Sequence, residues 1–228
     1  MTRKEEIKNA YKNLGKAHGF YDGMITATTF LGTAVSKLVW NMGREEDLEY
    51  QSRVFSSIPS DFCGRLLEVP VGTGVLSMPI FKTLPEADIT CLDYSEKMME
   101  AARKRAEEMV IRNISFSQGD VGALPFEDES FDVVLSLNGF HAFPNKEAAY
   151  SETYRVLKPG GLFCGCFYVK GNNSRTDFMI RKFYIKAGYF SEPFETMDSL
   201  KERLSKMYDS LEVSNVESIA VFKGYRKQ

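Results

Sequence analysis

Apolar positions along this chain change their period from segment to segment, and the changes mark out its elements. Arg65-Leu66-Leu67-Glu68-Val69 and Asp88-Ile89-Thr90-Cys91-Leu92-Asp93 read as two buried strands. Between them a glycine turn leads into a helical stretch predicted from about Val75 to Leu84. Pro79 falls early in it, where a missing amide costs least. Ser95 is placed to cap a helix running to about Val110, with Met98, Met99, Ala102, Ala106 and Met109 as its apolar positions. Asn113 to Gln118 and Phe131 to Leu137 predict a third and a fourth strand. A helix from about Lys146 to Val156 follows, and Lys158-Pro159-Gly160-Gly161 ends it before a strand from Leu162 to Val169. Such regular alternation implies parallel strands joined by right-handed crossovers, a doubly wound α/β sheet.

The two ends break this rhythm. Residues 1–60 predict two or three helices and no strand. The most apolar run, Met24 to Trp40, is interrupted by Thr26, Thr28, Thr29, Gly32, Thr33, Ser36 and Lys37. It therefore falls short of the ~20 apolar residues a membrane-spanning helix needs. Beyond Val169 lie a polar loop (Lys170 to Ser174) and helical stretches near Thr176–Ala187 and Met197–Met207. The β-prone segments Ser210–Ala220 and Val221–Arg226 close the chain as an antiparallel hairpin at the sheet edge. The fold class expected is a Rossmann-like, seven-stranded, mostly parallel sheet with a C-terminal hairpin and an N-terminal helical lid. It forms a single domain over 1–228: a lid (1–60), a core (61–169), and a helical insertion with the hairpin (170–228).

Composition narrows the function classes. With 43% hydrophobic and 26% charged residues the chain reads as a soluble globular protein, and a net charge of −2 argues against nucleic acid as a partner. The charged amino terminus has no apolar signal region behind it, so a cytoplasmic location and no stable membrane insertion are expected. Cys63, Cys91, Cys164 and Cys166 lie in or beside apparent buried strands. They read as reduced core thiols, with no metal set. Cys164 and Cys166, two apart, should share one face of a strand.

In an open parallel sheet, ligands bind at the carboxyl ends of the strands. Four groups of residues fall there. Gly72 and Gly74 permit a tight turn and a close approach of backbone to ligand. Asp93, 19 residues past Gly74, can accept from the two hydroxyls of a ribose, although it can equally cap the helix that follows. Asp120, after Gln118-Gly119, can accept from an amino group or serve as an ordinary turn carboxylate. The fourth strand ends in Ser136-Leu137-Asn138-Gly139-Phe140-His141, which puts polar and aromatic groups on the same rim.

Taken together, these segments resemble the class I S-adenosylmethionine-dependent methyltransferases. The resemblance is carried by Leu66-Leu67-Glu68-Val69-Pro70-Val71-Gly72-Thr73-Gly74, Leu92-Asp93-Tyr94-Ser95-Glu96-Lys97-Met98 and Gln118-Gly119-Asp120-Val121. It continues through Leu124 to Val134 and Tyr154-Arg155-Val156-Leu157-Lys158-Pro159-Gly160-Gly161, so that it covers roughly 64–169. It implies S-adenosylmethionine as cofactor and a role for each matching position. Glu68, Gly72 and Gly74 would line its methionine end. Asp93 would hold the ribose, with Tyr94 and Met98 flanking the adenine. Asp120 and Val121 would read the adenine edge, with Leu137 and Asn138 beneath the cofactor. Pro70 stands where the family usually has glycine, which removes one amide and some freedom from the turn.

Phe20-Tyr21-Asp22 followed by Met24–Trp40 is similar to the amino-terminal region of the quinone C-methyltransferases, which makes Tyr21 a candidate cofactor contact. The acceptor implied is a small molecule, aromatic or quinone-like, beneath an aromatic lid of Phe20, Tyr21, Phe30 and Trp40. Displacement at a sulfonium needs no acid, so positioning and exclusion of water can do most of the work. A general base matters only for an acceptor that starts out protonated. His141, just past the fourth strand, is the candidate for that role, or a structural histidine. Two other functions share parts of this pattern: a cofactor-binding regulatory protein without turnover, and a nicotinamide-dependent oxidoreductase. The latter lacks its third glycine in Gly72-Thr73-Gly74-Val75-Leu76-Ser77.

Overall fold

The computed structural model of the protein describes Glu5, Ala10, Asp22, Gly23, Thr26 and residues 29–228. Tyr21, Phe20 and most of the N-terminal segment expected to form a lid lie outside the described residues. Helix α1 (Phe30–Val35) continues into a π turn (Ser36–Trp40), and α2 (Arg44–Phe55) follows. The core then alternates as the pattern predicted: β1 (Arg65–Glu68), α3 (Met78–Phe81), β2 (Asp88–Asp93), α4 (Glu96–Glu108), β3 (Ile114–Gln118), β4 (Phe131–Leu137), α5 (Lys146–Val156) and β5 (Leu157–Tyr168). After β5 come α6 (Ser174–Met179) with a π turn (Ile180–Tyr184), α7 (Met197–Met207), β6 (Tyr208–Val216) and β7 (Ile219–Arg226).

One seven-stranded sheet results, in the order β3-β2-β1-β4-β5-β7-β6. β1 to β5 pair in parallel, whereas β7 runs antiparallel to both β5 and β6. Strand order reverses beside β1, and its carboxyl end meets those of β2 and β4 in register: Glu68 pairs with Cys91 and with Leu135. A ligand cleft is expected at such a reversal. Neighbouring residues of β1 feed opposite faces, as a pleat requires: Leu66 enters the core under α2, α3 and α4, and Leu67 the core under α5 and α7. Cys164 and Cys166 do share a face, with Phe163 and Phe167 on the other. Cys63, by contrast, is exposed rather than in the core.

Three boundaries differ from the sequence reading. α3 is one turn long, because the chain approaches it through turns at residues 75–77 instead of entering a helix directly. β5 begins at Leu157 rather than Leu162: Leu157 pairs with Phe131, and the register then shifts before Leu162 pairs with Val133. The Lys158-Pro159-Gly160-Gly161 run therefore forms an irregularity inside a strand and not only a helix stop. The final hairpin turns at Glu217-Ser218, not near Ala220, because Glu217 takes the left-handed conformation (φ 48°) and its carbonyl accepts from Asn215 Nδ2 at 2.8 Å.

Helix α2 packs on β5, β6 and β7, the antiparallel end of the sheet, so within the described residues it belongs to the core layer. Phe30, expected to line an acceptor pocket, is 94% exposed. Trp40 instead sits in an aromatic cluster, its ring centroid 6.0 Å from that of Tyr168 and 6.1 Å from those of Tyr184 and Phe190. Among the described residues no helix is long and apolar enough to cross a membrane.

Candidate active site

The turn after β1 is fixed from both neighbouring strands. Val69 N–H donates to Leu135 O (2.9 Å) and Val71 N–H to Leu92 O (3.0 Å), so the loop leaves the sheet between β2 and β4. Gly72 and Gly74 take φ of 56° and 67°, a region that side chains other than hydrogen rarely tolerate. A Cβ on Gly74 would also lie 2.8 Å from Met78. Pro70, the departure from the family pattern, fits because residue 139 is glycine: a Cβ there would stand 2.4 Å from Pro70 Cδ.

Beside this turn opens a cleft with about 1030 Å³ of atom-free space, part of it open to solvent. Its wall contains Glu68, Pro70, Gly72, Gly74, Asp93, Tyr94, Asp120, Val121, Leu137 and Asn138, residues singled out in the sequence and brought together here. Met98 is not among the lining residues. It is buried on α4, with its amide bonded to Ser95 O, and belongs to the core. Thr73, Ser77, Leu92, Ser95 and the run Ala142-Phe143-Pro144 also line the cleft, although sequence reasoning did not select them.

Two buried carboxylates define the floor. Glu68 is 1% exposed, and burial pushes its carboxyl up to about 8 against the opposing pull of Ser77 and Cys91. Asp93 accepts from Gly72 N–H (2.9 Å) and Ser95 N–H (2.8 Å). Burial still raises its pKa to about 6, because desolvation outweighs those amides. Asp93 thus both shapes the glycine turn and faces the cleft, so capping and ligand binding are compatible roles. Ser95 Oγ, on the cleft wall, is buried with no hydrogen-bond partner among the described residues. A buried hydroxyl left so is costly unless a ligand reaches it.

Asp120 is held by its own turn, its Oδ1 accepting from Gly122 N–H at 3.0 Å. The loop beyond is clamped by α5: Glu152 accepts from Leu124 N–H (2.7 Å), while Arg155 donates to the carbonyls of Leu124 and Phe126. Asn138 takes a left-handed conformation (φ 53°), with its amide on Cys166 O at 2.7 Å. Its side chain lies within hydrogen-bond range of Tyr50, by which α2 reaches the rim.

His141 stands apart from the cleft. It is 6% exposed, its ring is stacked on Phe190 at 4.0 Å, and its Nδ1 accepts the Tyr168 N–H at 3.2 Å. Burial, with the Lys146 charge adding to it, drives the imidazole down to about 3. With its one basic lone pair bonded to backbone, the ring is arranged as a neutral structural group. From the N-terminal segment, Asp22 reaches the glycine turn. Its Oδ1 accepts from Thr73 Oγ1 (2.5 Å) and its Oδ2 from Arg105 (2.5 Å), and Arg105 Nε also donates to Thr73 O (3.2 Å).

Residues 66–161 match a family model described as a methyltransferase domain. A ubiquinone/menaquinone biosynthesis C-methyltransferase of Dinoroseobacter shibae is 43% identical over 98 residues, 42% of this chain and 39% of that protein. A demethylmenaquinone methyltransferase of Thermus thermophilus is 35% identical over 115 residues, 50% of this chain and 52% of that protein. The chain thus spans about half the length of the curated relatives it matches. An S-adenosylmethionine-dependent methyltransferase of Thermotoga maritima has the same fold, with a TM-score of 0.69 at 20% identity over 97% of this chain and 100% of that one. Strand order, the glycine turn and the acidic residues at successive strand ends give this chain the fold of the class I S-adenosylmethionine-dependent methyltransferases, and its core, residues 66–161, matches a methyltransferase domain.

Proposed function

We propose that the protein transfers a methyl group from S-adenosylmethionine to a small, quinone-like ring acceptor. The observation that carries this reading is the cleft itself, where Glu68, Asp93, Asp120 and Asn138 converge from the ends of successive strands. The named activities of its relatives supply the acceptor class. When bound, the cofactor supplies a methyl group made electrophilic by its sulfonium. The residues present suit it. Glu68, buried without a cationic partner among the described residues, would hold the cofactor's ammonium end. Asp93 keeps lone pairs for ribose hydroxyls, and Ser95 Oγ offers an unused donor and acceptor beside it. Leu92, Val121 and Leu137 give the base apolar surface.

The wall contributes three carboxylates, and His141 lies behind it with its lone pair used. Among the described residues no imidazole base stands at the cleft, so their contribution to rate is positioning and exclusion of water. Isothermal titration with S-adenosylmethionine tests the cofactor half: micromolar-range binding is expected, and folded protein that shows none overturns it. Acceptor screening with labelled cofactor tests the other half. Transfer to ring compounds is expected, whereas transfer only to a protein or an RNA would refute the acceptor class.

A further inference from the structure

Away from the cleft, the structure exposes large apolar side chains that the proposed reaction does not use. On α1 and its π turn, Phe30, Ala34, Lys37 and Leu38 are all exposed and recur at helical spacing, forming one outward face. On α6 and its π turn, Phe178 (57% exposed) and Phe183 face outward beside Lys182. The Lys182 ammonium lies 5.2 Å and 5.5 Å from their ring centroids. These two faces are tied together. Arg175 donates to Lys37 O and Asn41 Oδ1, both at 2.9 Å, and Thr176 Oγ1 donates to Val39 O at 2.7 Å.

Cations accompany these apolar side chains, and the one carboxylate of α6, Asp177, accepts from Tyr168 O–H and Gly171 N–H. The chain as a whole carries −2, yet from Phe178 to Gly188 it holds Arg181, Lys182 and Lys186 with no carboxylate, and all three cations are exposed. Nor does the stretch from Phe30 to Gly43 contain an acidic residue. Grouped exposed apolar side chains signal an interaction site, and aromatic residues interleaved with cations suit the boundary between lipid headgroups and acyl chains. Anionic headgroups attract each nearby cation while Phe and Leu side chains enter the acyl boundary. A water-soluble protein partner would have to offer both an acidic and an apolar face, whereas an anionic bilayer offers both everywhere.

We propose that α1 and α6, with their π turns, form a docking surface for an anionic lipid membrane, on which the protein sits peripherally. The proposal rests on this surface and stands whatever the acceptor proves to be. Flotation of the full chain with phosphatidylcholine vesicles, with and without phosphatidylglycerol, tests it. Binding is expected only with the anionic lipid, and it should weaken as salt rises. The double variant Arg181→Gln/Lys182→Gln should bind roughly thirtyfold more weakly, since each cation lost near such a surface weakens binding severalfold. Phe178→Ser/Phe183→Ser should bind less well at every salt concentration. Unchanged affinity for S-adenosylmethionine, or an unchanged melting curve, shows that the variants are folded. Absence of vesicle binding overturns the proposal. So does vesicle binding that the folded variants leave intact, or a concentration-dependent dimer abolished by Phe178→Ser/Phe183→Ser in a chain that ignores lipid.

Discussion

Glu68 and Asp93 end adjacent strands and are both desolvated, so each takes up a proton more readily in the fold than in water. A carboxyl whose pKa is raised by folding stabilises the fold fully below its ordinary value and loses that contribution as pH rises to the folded one. The ligand-free protein should therefore lose stability from about pH 4 towards pH 8, through Asp93 first and Glu68 after it. Cofactor affinity runs the opposite way: ionised carboxylates attract its cationic end, so binding should strengthen between about pH 6 and pH 8 and release protons. Calorimetry in buffers of different ionisation enthalpy would detect that release, and a flat profile would refute this account. Gly139 is a second informative residue, because its missing Cβ makes room for Pro70 and for Phe143, which would stand 2.7 Å away. Gly139→Ala has no left-handed strain to suffer, so its effect isolates the packing of the cleft wall. It should cost about 1–3 kcal/mol of stability by overpacking and weaken cofactor binding, as measured by thermal melts and titration.

At the scale of elements, the contact of α4 with the glycine turn determines how that turn is held. Arg105 bonds both Thr73 O and Asp22, and the pair is mostly buried (side chains 28% and 15% exposed). Arg105→Ala should therefore cost about 1–3 kcal/mol by leaving the carboxylate short of a partner, and should raise the Kd for S-adenosylmethionine. Arg105→Lys should rescue only part, since one ammonium cannot match the two-point geometry of the guanidinium. Denaturant titration and calorimetry would check both. Elements with a strong period were legible before any coordinates: α5 and α7 occupy the stretches their apolar spacing indicated, and β2 and β4 likewise. The early start of β5 was not, because its first pair, Leu157 with Phe131, is a partnership between distant residues with no local signature. The same holds for the hairpin turn, where Glu217 adopts a conformation more usual for glycine or asparagine.

For the molecule as a whole, the sheet divides two cores and gathers the site at one rim. That division explains what could be foreseen of the site. Asp93, Asp120 and Asn138 were visible because a strand end announces itself in the sequence. Ala142, Phe143, Pro144 and Tyr50 reach the rim only through tertiary packing. His141 shows the same limit from the other side. Its place after β4 suggested chemistry, while Phe190 and Tyr168, distant in sequence, enclose it. Phe190 also packs on Trp40, the chain's single tryptophan, so one indole sits where α1, α6 and β5 converge. Nature has thereby installed a fluorescent gauge of whether these pieces are docked. Thr176→Val deletes the hydroxyl that grips Val39 O, a loss of about 1 kcal/mol. The emission of Trp40 should then shift to the red at a lower temperature than the loss of far-ultraviolet ellipticity. Coincident curves would mean that the outer helices and the sheet melt as one unit.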